Sequence, residues 1–589
     1  MRRKLGAVLI GTLAVAIAAS GCQTTGGGGT PGQTGQQGGG SFSIDNNAKG
    51  PAPEIPGAKK GGTLTILGST DLDRHDPQAN YRGDGIMLYN QLVTRTLTTY
   101  YEDVAADGTI KTRLVGDLAT TTGETADGCK TWKFTLRDGV KFEDGTAITS
   151  KDIAYGISRS FDDSTADGPH YLQIWLAGKE DYQSVYKGPY AAPGTIAPGI
   201  TTPDDKTIQF QFASAHCDFP AAAALLTTVP VPQSKDPGAN KYDSDAIVSS
   251  GPYMIESLVR GEKFSLVRNP NWDPATDPAR HAYPDKVVFD WTATDPVVAS
   301  KRFVADSGDD KTALQWDNVP TEALAEVLNG PAASRAIEGD TVFNIYVYIN
   351  TQRVKDVDVR RALIYSYNQD AILKIIGGDK AGKPSTTIEA PTVPGYEKYD
   401  AYAKPITGDV DKAKALLTGK TLTPLKWCYR PGTPIREQTA AAAKQAWERA
   451  GFQIVMSPTD GTTHYTIVGT KGTDCDLITG GWGQDYPSGS TVMGVLMKGG
   501  DAITPTGNNN LSYFDEPSVN AEIDRIAGLT DVAEAGKAYA ALDKKVMTDY
   551  APLIPSYYDH SFSMFGSGLG GAYLSGLWGS PSLQNIWVK

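Results

Sequence analysis

The stretch from Leu422 to Ser457 constrains the fold more than any other part of the chain. "LTPLKWCY" reads as a strand, "PIREQTAAAAKQAWERAG" as a helix stopped by Gly451 in a C-cap position, and "FQIVMS" as a second strand. A strand–helix–strand unit needs a sheet with a helical layer against it, which points to a mixed α/β body. The same alternation recurs elsewhere. "TWKFTLRDG" sets Trp132, Phe134 and Leu136 on one face against Lys133, Thr135 and Arg137, and "TIQFQF" does so with Ile208, Phe210 and Phe212. "VFNIYVYIN" alternates Phe343, Ile345, Val347 and Ile349 with Asn344, Tyr346, Tyr348 and Asn350. Thr149 with Asp152 three residues on forms a capping box for a helix carrying Ile153, Ile157 and Phe161. The Gly/Pro-rich stretches Lys179 to Thr202 and Gly377 to Lys404 read as surface loops.

The chain's start says where this body works. Arg2, Arg3 and Lys4 precede an apolar run from Leu5 to Ala19, shorter than the roughly 20 residues of a membrane span. Ala19-Ser20-Gly21-Cys22 follows and resembles a bacterial lipobox, which implies a signal peptide over 1–21, cleavage before Cys22 and lipidation of its thiol. From Gln23 to about Pro56 the composition is Gly, Gln and Thr with little to bury, so it is expected to be a disordered tether spanning roughly 30 Å. The expectation is a body from residue 58 onward, held at the outer face of a cell membrane.

Removing Arg2, Arg3 and Lys4 from the 55 basic residues leaves 52 against 67 acidic ones, a net charge of −15. No basic cluster interrupts it, which argues against nucleic acid as a partner. Cys129, Cys217, Cys428 and Cys475 remain, an even number in an exported chain, with three possible disulfide connectivities. Cys129–Cys217 and Cys428–Cys475 are favoured because each pair falls within one expected domain. Each would contribute about 4 kcal/mol in the chain-entropy model.

Catalytic and metal motifs are sparse. The six histidines are too scattered for a local zinc motif, no G-x-S-x-G occurs, and no metal or cofactor is expected. Ser184 and Lys187 match S-x-x-K without the partner motifs. In "GGDKAGKPS", Pro384 stands where a P-loop needs Ser or Thr.

One block is specific enough to suggest a family. "LVGDLATTTGETADGCKTWKFTLRDGVKFEDGTAITSKDIAYGISRSF" resembles the sequence block of the extracellular solute-binding proteins of family 5, the dipeptide and oligopeptide receptors of ABC importers. "SGPYMIESLVRGEKFSLVRNPNW", "DVDVRRALIYSYNQDAI" and "APLIPSYY" are similar to later family segments, in the same order. Glu143 replaces a usual His, a mild departure. The resemblance implies a two-lobed periplasmic-binding-protein-like α/β fold with a hinge between lobes and an extra inserted domain. By analogy 58–105, 237–341 and 560–589 form the N-terminal lobe, 106–236 the insert and 342–559 the C-terminal lobe. The chain would cross between lobes near Thr341–Phe343 and Tyr558–His560. No enzyme activity is implied, and a monomer working with permease subunits is expected.

"GGWGQDYPSG" is similar to the family's G-W-x-x-D-Y-P segment. Asp485 would then pair with a peptide's α-ammonium, with Trp482 walling the cleft, Gly481 to Gly483 offering backbone for strand pairing, and Tyr486 beside them. Tyr81 is a further candidate for the cleft lining. Thr479 stands where some peptide binders carry Arg, so Arg430 is a candidate for supplying a cation. "SGSTV" after Pro487 departs from the family. An oligosaccharide, a metal or haem complex, a hydrolase using Ser184 and Lys187, or a peptide-signal sensor are the competing readings.

Overall fold

The computed structural model describes residues 41–589 except Ala106, Asp245 and Thr462. The signal peptide, Cys22 and the tether as far as residue 40 lie outside the described residues.

Three main sheets carry the architecture. Five strands in the order Ala313–Gln315, Thr63–Leu67, Lys286–Asp290, Lys263–Arg268 and Tyr253–Val259 make the first, mixed in direction. Four antiparallel strands, Glu124–Ala126, Thr131–Thr135, Thr207–Gln211 and Ile200–Asp204, make the second. The largest sheet has six, in the order Gly382–Pro384, Leu553–Met564, Ala336–Ile349, Leu477–Gly483, Leu425–Tyr429 and Ile454–Pro458. Its last two strands are parallel and joined by helix Pro434–Arg449, which is the strand–helix–strand unit of the sequence. Thr433 caps that helix, Ala440, Ala443 and Trp447 face the core at near-helical spacing, and Gly451 takes φ +104° just past its end.

Two large cores match this division. One gathers residues between Leu64 and Ile337 with the C-terminal Leu569 to Ile586; the other gathers Tyr346 to Ile554. Tyr486 is the exception, lying in the second stretch of chain yet buried in the first core. Cys129–Cys217 and Cys428–Cys475 are both bonded, each tying segments within one of these regions.

Several readings need correction. The disordered tether does not extend to Pro56: Ser41–Asp45 is a strand pairing in parallel with Ile110–Gly116, Phe42 packs on the first core, and Ala52 is buried. An edge strand supplies backbone partners that composition alone does not reveal. The boundary at 105/106 falls inside a hairpin, because Thr98–Val104 pairs along its length with Ile110–Gly116. The alternation in Ala336–Ile349 does not separate a buried face from a solvated one: Tyr346, Tyr348 and Asn350 are buried along with Val347 and Ile349, and Phe343, expected on the apolar face, is 40% exposed. The stretch 377–404 is a loop over most of its length, but Thr387, Ile388, Glu389 and Ala390 are buried within it.

Pairing between the long strands Ala336–Ile349 and Leu553–Met564 is interrupted. Residues 336–340 face 560–564, residues 344–348 face 553–558, and the register shifts between Asp340 and Asn344. Thr341 Oγ1 donates to Asp559 Oδ2 at 2.9 Å inside this gap.

Candidate functional site

Strand Leu477–Gly483 delivers Asp485 to the place where the two cores meet. On one edge it pairs antiparallel with the strand Ala336–Ile349, from Leu477↔Ile349 to Gly483↔Phe343. Side chains of that neighbour crowd the glycines. A Cβ on Gly480 would stand 2.8 Å from the Tyr348 ring, one on Gly481 2.7 Å from Ile345 Cδ1, and one on Gly483 2.8 Å from Val342 Cγ2. On the other edge only Leu477 and Ile478 are paired, with Trp427 and Cys428. Among the described strands nothing pairs with Thr479 to Gly483 on that side; His464 Nε2 donates to the Thr479 carbonyl at 3.1 Å, which leaves Gly480 to Gly483 as a short open edge.

Asp485 follows two residues beyond that edge. Its Oδ2 accepts hydrogen bonds from Tyr81 Oη at 2.8 Å and from Tyr171 Oη. Among the described residues its Oδ1 has no hydrogen-bond partner. Burial pushes the Asp485 carboxyl up to about 6, against the two tyrosine hydroxyls, which favour its ionised form. Both phenols are raised well above their usual range, by burial first and then by the Asp485 charge, so they remain donors.

Tyr171 opens helix Tyr171–Ala177, and nothing in its sequence context distinguished it. Its ring meets Tyr486 edge to face at 5.4 Å, and Tyr486 Oη donates to Asp218 at 3.1 Å. Asp218, next to the Cys129–Cys217 bridge, also accepts from Ser488 and Ser490, so the "SGS" departure supplies its partners. Burial raises the Asp218 carboxyl. The one sequence signal for it was its place beside a disulfide cysteine.

The structure thus brings Tyr81, Asp485 and Tyr486 into one constellation. Trp482 packs on the second core and donates its indole N–H to the Thr491 carbonyl at 2.7 Å, bracing the loop from behind. Thr479 Oγ1 accepts from the Trp427 indole at 2.9 Å. Arg430 makes no bond to Asp485. It lies over the Tyr465 ring at 5.5 Å, its Nε is buried without a partner, and the register Trp427↔Leu477, continued, would set it opposite Gly480. Ser184 Oγ donates to the Asp181 carbonyl at 2.8 Å and has no bond to Lys187. Lys383 of the P-loop-like segment pairs with Asp340 at 2.6 Å.

Two cores meeting beside a short open strand edge, with a carboxylate held there by two tyrosines, fit a two-lobed binding-protein fold. The chain belongs to the bacterial extracellular solute-binding proteins, family 5, whose model matches residues 113–503. It is 24% identical over 450 residues to the probable D,D-dipeptide-binding periplasmic protein DdpA of Escherichia coli (strain K12), covering 75% of this chain and 78% of that one. It is likewise 24% identical over 473 residues to the probable deoxycholate-binding periplasmic protein YgiS of the same organism, covering 76% and 81%. Among solved structures it is similar to clavulanic acid biosynthesis oligopeptide binding protein 2, with a TM-score of 0.82 and 28% identity, over 92% of this chain and 99% of that one. Membership makes the protein an exported substrate receptor rather than an enzyme. No helix among the described residues is long and apolar enough to cross a membrane.

Proposed function

We propose that this protein is a lipid-anchored receptor that captures a short peptide between its lobes and delivers it to the permease of an ABC importer. The observation that carries this reading is the open edge Gly480–Gly483 ending beside Asp485, whose Oδ1 is unengaged. An extended peptide added to that edge gains main-chain hydrogen bonds without its side chains being read closely. Its ammonium would reach Asp485, in a charge-assisted bond contributing about 1.5–3 kcal/mol. Arg430, near the far end of the edge, suits the peptide's carboxylate. The gap in pairing between Asp340 and Asn344 gives the two long strands their hinge. Cys22 would hold the whole at the membrane.

A bile acid fits this site less well. It brings no cation to Asp485 and no main chain to pair with the open edge. Native mass spectrometry of the purified protein, followed by acid release and sequencing of what is bound, tests the reading. A mixture of short peptides is expected. A bound sugar or steroid, with no response to a peptide library, would leave the family standing and remove the role given to Asp485.

A further inference from the structure

Glu389 lies in the loop after the edge strand Gly382–Pro384, with 1% of its surface exposed. Neither of its carboxylate oxygens has a hydrogen-bond partner. Its neighbour Asp543, on helix Val532–Tyr550, is by contrast satisfied. Asp543 accepts from the backbone N–H of Ile388 and of Glu389, both at 3.0 Å, and from the Tyr399 hydroxyl. Burial and the Asp543 charge push the Glu389 carboxyl well above the usual range.

Other unfilled groups share this neighbourhood. Tyr539 Oη, Thr392 Oγ1 and Gln484 Oε1 are buried without a partner. Gln484 is the residue before Asp485, and its Nε2 reaches the Thr392 carbonyl at 3.5 Å. Gly489 closes the arrangement, since a Cβ there would stand 2.5 Å from Glu389 Oε1 and 2.5 Å from Tyr539 Cβ. Glu389 therefore backs directly onto the loop that presents Asp485. Gly489 and Tyr539 also line a cavity of about 40 Å³ with Asp218, Pro394 and Ser488.

The orphaned atoms are two carboxylate oxygens and an amide oxygen, which only accept, and two hydroxyls, which accept and also carry one O–H each, with no orphaned N–H among them. Acceptors outnumber donors in this set, so a group that donates several hydrogen bonds completes it, and if it is charged it also supplies the counter-charge that Glu389 lacks. Water brings acceptors as well as donors and no charge.

We propose that Glu389, with Tyr539 and Gln484, forms a second cation subsite that takes an ammonium or guanidinium from a side chain of the ligand, apart from the terminal ammonium at Asp485. The receptor would then prefer basic peptides over neutral ones. This rests on the peptide reading of the cleft. A carboxyl that simply stays protonated in the interior is the competing arrangement, and it gives no such preference.

The test is titration calorimetry on the purified protein with tri- and pentapeptides of alanine that carry one arginine at each position in turn. Each is matched with a twin in which citrulline, the same shape without charge, replaces arginine. At one position at least, the arginine peptide is expected to bind about 10- to 100-fold more tightly than its twin. Glu389→Gln should bring that ratio close to one. Equal affinity of the twins at every position overturns the proposal, as does a Glu389→Gln protein that keeps the preference. The twin comparison uses unmutated protein, so it decides the matter even where Glu389→Gln fails to fold. Binding of neither twin at any position would overturn the peptide reading, and this subsite with it, whereas equal binding overturns the subsite alone.

Discussion

In the N-terminal part of the molecule Asp117 and Asp277 are buried beside Arg95 and Arg280, with Asp117 2.6 Å from Arg95 Nε and 2.8 Å from Arg280 Nη2, and Asp277 3.2 Å from Arg280 Nη1. Arg159 is held likewise between Asp76 at 2.8 Å and Asp236 at 2.9 Å. Around the loop 485–490, Asp218, Glu389, Asp485 and Asp543 have hydroxyl and N–H partners or none, and no arginine, lysine or histidine pairs with them among the described residues. The acidities diverge accordingly. Burial alone would raise the Asp277 carboxyl, yet the charges of Arg280 and Arg95 hold it well below the usual range. At Asp485 and Asp543 burial is opposed only by neutral donors, and both are pushed up to about 6. The N-terminal acids carry their counter-charge within the fold, and the acids around the loop 485–490 do not.

The largest expected effect lies on the scaffold side. Arg280→Met should destabilise the fold by about 3–5 kcal/mol, because Asp117 and Asp277 remain buried with too little positive charge. A urea titration reads this directly, and a loss below about 1 kcal/mol would erase the contrast between the two regions.

On the site side, Asp485→Asn should cost roughly 2 kcal/mol or more in binding free-amine peptides. It should not lower stability at pH 7. The folded carboxyl titrates above its unfolded value, so its contribution is most favourable below that value and declines as pH rises through about 6. Removing the charge therefore relieves a penalty. A substantial fall in melting temperature for Asp485→Asn would place this acid with the scaffold.

The same acidity gives a pH signature. Ammonium binding needs the carboxylate, so affinity for free-amine peptides should fall as pH drops through about 6, by up to about tenfold per unit. Asp485→Asn should flatten the profile. Tyr171→Phe, the smallest of these effects, removes one donor to Asp485 and should move the midpoint upward by about one unit or less. A downward shift would mean that the tyrosine does not act through this carboxylate.

Much of this was legible in the sequence because it is local or carried by motifs. The unit from Leu425 to Pro458, the capping box at Thr149 and the pairing of the cysteines each follow from periodicity, cap chemistry or cysteine placement. Asp485 and Tyr81 came from the family pattern and an aromatic in an early loop. Tyr171, Asp218 and Glu389 did not appear, since each acquires its setting from residues far away in the chain: Tyr171 from Asp485, Asp218 from Ser490, Glu389 from Asp543 and Gly489. The strand Ser41–Asp45 was missed for a related reason. Its neighbours are Gly-rich, and its order depends on a partner edge, Ile110–Gly116, that local composition does not announce.

Calorimetric comparison of one peptide with a free amino terminus and the same peptide N-acetylated, on unmutated protein and on Asp485→Asn, is the most direct test of the anionic anchor. The expected result is strong binding of the free peptide alone to the unmutated protein, and weak, nearly equal binding of both forms to Asp485→Asn. Equal affinity for the two forms in the unmutated protein would contradict the assignment of Asp485 as the receptor of the ligand's ammonium.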